Sequence, residues 1–259
     1  MIYLRGFIEE LRIGLEETWN YRMNFISEII TMVVLYISLI FMNSGNSLTK
    51  LYSTSDISNR ELILIGYMLW SFSIMAINTI SDTIACESTA GTLEHKYMSI
   101  IPIEILNIAI FIQSFIIEAL IVGVILIISK VFLGISISFN LISIGVILIT
   151  LIGMYGMGMI LGGVALKEKK IGKIVFIIQV IFLFVSDTIT DISSNILISK
   201  IIPLTLGNDL LREAIIYGNV SLNKLLFLIL ISILWVSVGI IIFKIFEKKA
   251  KKDGILGYY

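Results

Sequence analysis

The chain has 259 residues, 58% of them hydrophobic and 15% charged, with a mean hydropathy of +1.01. That is too apolar and too poor in charge for a soluble domain, and apolar runs of about 18 residues or more demand a bilayer. Nineteen Lys and Arg balance 19 Asp and Glu, which removes any bulk attraction to nucleic acid. A single cysteine, Cys86, excludes an internal disulfide, and with only His95 beside it the sequence argues against a Cys- or His-built metal centre and against Ser-His-Asp chemistry.

In chain order, the first element is an amphipathic helix. Leu4, Phe7, Ile8, Leu11, Leu15 and Trp19 recur at helical spacing, with Arg5, Glu9, Arg12 and Glu16 opposite. This pattern predicts a helix lying in the membrane interface, or alternatively a cytosolic extension of the first span. The same charges break up any signal-peptide core. Six spans follow, at 24–43, 62–85, 103–129, 139–166, 171–187 and 224–246. Five reach the roughly 20 residues that a bilayer crossing takes, and the fifth in order is short and ends on Asp187.

The fourth span is rich in glycine, and Gly158 and Gly162 form a small-xxx-small pair that suits close helix packing. Between the last two spans, the apolar stretch 196–202 is too short to cross, and Pro203 ends it. Leu210–Ile216 then reads as a second short helix, with Asn208 or Asp209 as its N-cap. The expectation is a helical hairpin on the outer face, against the alternative of a plain surface loop. The reading is therefore an all-α polytopic membrane protein with an N-terminal interfacial helix (1–22), a six-helix transmembrane domain (23–249) and a basic tail (250–259).

Orientation follows from Lys and Arg. With the N-terminus inside, inner segments hold 13 of the 19 basic residues: Arg5, Arg12, Arg22, Lys96, Lys167, Lys169, Lys170, Lys173 and the five lysines from Lys244 to Lys252. Lys50, Arg60, Lys130, Lys200, Arg212 and Lys224 fall outside. The bias places both termini in the cytoplasm.

No engine is visible. A phosphate-binding G-x-x-x-x-G-K-[ST] is absent, since Gly163 is followed by Val164 and Gly172-Lys173 by Ile174, and there is no H-E-x-x-H. No nucleotide, metal or other cofactor site is expected. Glu118 sits mid-span, where a bare carboxylate costs several kcal/mol. Asn107, Ser114 and Glu118, spaced by 7 and 4, share one helix face that should turn to the bundle interior. A pathway role and a hydrogen-bonded packing role both fit this stripe. Gln179 in the fifth span and Asn78, Ser81 and Asp82 in the second are weaker intramembrane polar candidates.

A hydrophilic segment joins the second and third spans: Glu87-Ser-Thr-Ala-Gly91-Thr92-Leu93-Glu94. A short helix over 92–99 would offer Leu93, Tyr97 and Met98 as an apolar patch, with Ser88 or Thr92 as a cap. Read alone, it is a capped connector.

This layout resembles the permease subunits of ABC type-2 transporters. In that family the second connection reads approximately E-x-x-x-x-G-T-L-E followed by Pro, as Glu87, Gly91, Thr92, Leu93, Glu94 and Pro102 do here. Pro203-Leu-Thr followed by Leu211-Arg212 is similar to the region before the family's last span. The tail Lys251-Lys-Asp-Gly254 through Tyr259 is similar to the tails of its drug- and antibiotic-exporter branch. The resemblance implies half of an export pathway in a bacterial plasma membrane, paired with a second permease half as a homo- or heterodimer and with two copies of an ABC ATPase. It also implies that Glu87, Gly91, Thr92, Leu93, Glu94 and Tyr97, with the N-terminal helix, dock that ATPase. Two rival readings remain: a non-transporting membrane immunity or signalling scaffold, and an ion-coupled carrier using Glu118. The carrier should show an internal repeat with interrupted helices, and the sequence shows none.

Overall fold

The computed structural model describes residues 2–42, 48, 58–169, 171–189 and 201–253. These residues form helices and connecting turns, with no strand among them. The elements in order are α1 (Ile2–Asn20), α2 (Arg22–Met42), α3 (Asn59–Ala90), α4 (Leu93–Tyr97), α5 (Ile103–Leu133), α6 (Leu141–Glu168), α7 (Gly172–Val185), α8 (Pro203–Tyr217) and α9 (Leu222–Lys252).

Five helices, α2, α3, α5, α6 and α9, are long and apolar enough to cross a membrane. Their buried shares differ sharply: 94% of the apolar window of α3, 50% of that of α6, and 17–28% of those of α2, α5 and α9. The α3 helix is thus the hub, and the others expose large Ile, Leu and Phe side chains outward, as a lipid-facing surface must. Its first turn is closed by a capping box in which the Ser58 hydroxyl and the Glu61 carboxylate accept each other's main-chain N–H groups.

Glycines bring α3, α6 and α9 together. A Cβ on Gly158 would stand 2.7 Å from the carbonyl oxygen of Ala76, so that side of α6 rests on the α3 backbone. On the other side, Gly156 and Gly239 face each other across α6 and α9 with no room for a side chain. The three helices run in the same direction, and the Gly158–Gly162 pair predicted for packing lies on the α3 face.

The fifth span takes a different form from the other five. Its helix, α7, has 14 residues, about 21 Å at ~1.5 Å per residue, against the ~30 Å of hydrocarbon. The chain then continues without regular helix through Ser186, Asp187, Thr188 and Ile189, all buried. Irregular backbone at such depth is tolerated where protein covers it, and α8 helps supply the cover.

That short helix also corrects an expectation. It begins at Pro203, not after Asn208 or Asp209, so neither residue is its N-cap. Proline at the first position has φ preset and lacks only an N–H that the helix would leave unpaired, and Asn208, inside the helix, has its own tertiary partners. The other half of the expected hairpin, 196–200, lies outside the described residues, as do the expected tail residues 254–259.

Candidate functional site

The α4 end of the bundle carries the segment singled out in the sequence. The helix α3 runs past the expected end of its span, so Glu87, Ser88, Thr89 and Ala90 are helical and the connecting turn is only Gly91 and Thr92. Gly91 takes φ 74°, a left-handed conformation that costs a side-chain-bearing residue about 1–2 kcal/mol, and its N–H donates to the Glu87 carbonyl. Thr92 begins α4 without a side-chain cap of the helix, so the expected capping hydroxyl is not used there.

The five-residue α4 divides into two faces. Leu93 is buried in the core, and Lys96 and Tyr97 are half-buried. Glu94, His95, Met98 and Ile100 are exposed, so Met98 does not join Leu93 and Tyr97 in one inward patch. The outer face is instead a small mixed surface, with Met98 65% and Ile100 83% exposed beside an acid and the histidine.

What fixes α4 is a three-way ion pair. The Lys96 ammonium donates to Glu10 Oε1 at 2.7 Å and to Glu87 Oε1 at 2.5 Å, joining α1, α3 and α4. The side chains retain only 12%, 25% and 20% exposure, so solvent screens these charges less than at an open surface. Burial pulls the Lys96 pKa down, but the hydrogen bonds and charges of Glu10 and Glu87 outweigh it, and the net shift is upward. On the other flank, the Lys251 ammonium of α9 lies 4.8 Å from the centroid of the Tyr97 ring, a cation–π contact. Burial, then the negative charges of Glu247, Glu87 and Glu104, raise the Tyr97 pKa, and the phenol stays neutral. Through Gly91, Lys96 and Tyr97, the short helix is thus joined to α3, α1 and α9 together.

The α1 helix buries none of its residues fully. Leu4, Ile8 and Trp19 are exposed, while Phe7, Leu11 and Leu15 are half-buried. Gly6 and Gly14 let it lie against Ile101 and Gln113 at the start of α5, where the Gln113 amide donates to the Gly14 carbonyl at 3.3 Å.

Two of the intramembrane candidates, Glu118 and Gln179, reach α3 at different heights. Glu118 is 5% exposed and accepts a short hydrogen bond from the Ser71 hydroxyl, with Asn107 and Ser114 half-buried on the same face of α5. Gln179 meets Asn78: its side-chain amide donates to Asn78 Oδ1 at 2.7 Å, and its main-chain carbonyl accepts from the Trp70 indole at 3.2 Å. Glu118 and the Gln179 pair are therefore separate contacts on the hub, not one cluster. Among the described residues no group of three His, Cys, Asp or Glu is placed to hold a metal.

Sequence reasoning misses Glu10 and Lys96 as a pair: it uses Lys96 only for orientation, and Lys251 only for orientation and the tail resemblance. Nothing local could have paired them, since 86 residues separate Glu10 from Lys96. Arg212 was also read as an outer charge, although it is 1% exposed.

No curated protein sequence matches the chain. Residues 11–216, from within α1 into the last turn of α8, match the ABC-2 type transporter family. On that match the chain belongs to the ABC-2 type transporter family and is a membrane-embedded transport permease.

Proposed function

We propose that this chain is the permease subunit of an ATP-driven exporter of the drug- or antibiotic-exporter type, forming half of a transmembrane pathway. It works in a bacterial plasma membrane with both termini in the cytoplasm, beside a second permease half and two copies of a separate ABC ATPase. Family membership implies an ABC ATPase partner in general, and the Lys and Arg bias puts α1, α4 and the end of α9 on the ATPase side.

The observation that carries the reading is the clamped α4. An ATPase pressing on Glu94, His95, Met98 and Ile100 meets a helix that cannot move alone. Its displacement pulls α3 through the Gly91 turn, α1 through Lys96 and Glu10, and α9 through Tyr97 and Lys251. Because α3 meets α2 through Tyr67, α5 through Ser71 and α7 through Trp70 and Asn78, force at α4 reaches the bundle interior. Glu118, Asn107, Ser114 and Gln179 then tune the pathway rather than power it.

The test is a co-purification. The chain alone should hydrolyse no ATP, and from its native membrane it should bring down an ATP-binding subunit. Met98→Asp should lose that subunit while the chain stays inserted. Transport in liposomes by the chain alone, without nucleotide, would replace this reading with that of a carrier.

A further inference from the structure

The end of the bundle opposite α4 contains a buried cation that the docking account does not use. Arg212 of α8 is 1% exposed. Its guanidinium donates from Nε and Nη2 to the Leu62 carbonyl of α3, at 3.2 and 3.1 Å, and from Nη2 to the Thr188 carbonyl at 3.2 Å. Leu62 is in the first turn of the hub, and Thr188 is in the irregular segment that follows α7. One side chain therefore ties three elements together through main-chain oxygens.

The surroundings are shaped for it. Gly66, one turn beyond Leu62, has no side chain where the guanidinium lies: a Cβ there would stand 2.6 Å from Nη2 and 2.9 Å from the Thr188 carbonyl oxygen. One turn earlier in α8, the Asn208 amide donates to the Ser186 carbonyl at 2.7 Å and to the Thr188 hydroxyl at 3.2 Å. Other polar ties on α8 include the Lys224 pairs with Asp209 and Glu213, which are more solvent-exposed, and the Asn140 amide on the Ala214 carbonyl.

Around this tie the burial is incomplete in hydrogen bonding. Asn208 Oδ1, Thr205 Oγ1 and, on α9, Ser232 Oγ are buried and find no hydrogen-bond partner among the described residues. A buried polar atom without a partner destabilises the state that buries it. A conformation in which α8 lifts away returns those atoms to water, so the seated position is held against an opposing term. The guanidinium adds its hydrogen bonds to the burial of Leu204, Leu210, Leu211 and Ala214 in holding it.

We infer that Arg212 is a positioning residue of the pathway: it latches α8 against α3 and the unwound end of α7 and keeps this end of the permease closed. The inference rests on the permease reading for its orientation, with the α8 end outside the cell.

Cysteine labelling in intact cells tests it. The natural Cys86 is exposed and is first replaced by Ser. Leu210→Cys, at a fully buried position on α8, is then probed with a membrane-impermeant maleimide from outside. With Arg212 present it should be unreactive. Arg212→Met should raise its labelling about tenfold, as the loss of hydrogen bonds to a charged group implies. Gly66→Ala should do the same with the arginine intact, by displacing it. Arg212→Lys should fall between, because an ammonium lacks the planar fork that spans two acceptors.

Ile121→Cys, equally buried on α5, is the control and should stay unreactive. Unchanged Leu210→Cys labelling in both Arg212→Met and Gly66→Ala overturns the latch. So does a parallel rise at Ile121→Cys, which would make Arg212 a general stability residue. Labelling that increases as expected but only in permeabilised cells would sustain the latch and overturn the orientation of the permease reading.

Discussion

Lys96 is the residue on which the candidate site turns. Replacing it with Met leaves two half-buried carboxylates facing each other. Breaking a fully buried pair costs about 3–5 kcal/mol, and the exposure remaining at these side chains brings the expected loss to about 1–2 kcal/mol. Thermal unfolding of the purified chain, followed by size-exclusion fluorescence, should show that loss, and α1 should become cleavable by protease. The pH dependence has a definite sign. The folded pKa of Lys96 lies above its ordinary value of 10.5, so its contribution is complete below that pH and is lost as pH rises through the folded value. The stability gap between wild type and Lys96→Met should therefore hold from neutral pH to about pH 10 and close above it.

At Glu118, the Ser71 hydroxyl gives Glu118→Gln a clear expectation. The amide keeps shape and hydrogen bonding while deleting the charge, so assembly should be normal and export only modestly changed. Glu118→Leu leaves the Ser71 hydroxyl unpaired and should cost about 1–3 kcal/mol of stability. Export abolished in the Gln variant, with normal ATPase association, would identify a proton- or cation-coupled step instead.

At the scale of elements, the α6–α9 seam makes the most direct prediction. Gly239 lies with its Cα against the Gly156 carbonyl, and a side chain at either position must push the helices apart. Gly239→Val should cost upward of about 1–3 kcal/mol, the usual range for overpacking, and reduce the yield of monodisperse protein. Gly145, on the same helix but with open space beside it, should accept Ala at no measurable cost.

The same seam shows what was legible. Apolar length gave five of the spans, because each must cover a bilayer whatever its neighbours do, and the glycines of α6 announced close packing. The shortness of the fifth span was legible too, but the early start of α8 was not. That limit depends on tertiary contacts: Asn208 reads locally as a cap, yet its amide is committed to Ser186 and Thr188, more than a dozen residues away. Of the site, the Gly91 turn was readable from glycine's freedom at positive φ. The outward turn of Met98 and the Lys96 tie were not, because both depend on which helices meet α4.

At the scale of the whole molecule, the proposed function has force enter at the α4 end of the bundle and pass to α3, whose apolar window is 94% buried. It requires the exposed face of α4 to dock an ABC ATPase. The most direct measurement is a site-specific photo-crosslink in living cells, with the crosslinking residue placed at Met98 and, for comparison, at Ile127 on the exposed side of α5. Met98 should capture an ATP-binding subunit, Ile127 should not, and Gly91→Val, which strains the turn holding α4, should reduce the Met98 product. The same subunit captured from Ile127 and not from Met98, or Met98 capture unchanged by Gly91→Val and Lys96→Met together, would contradict it.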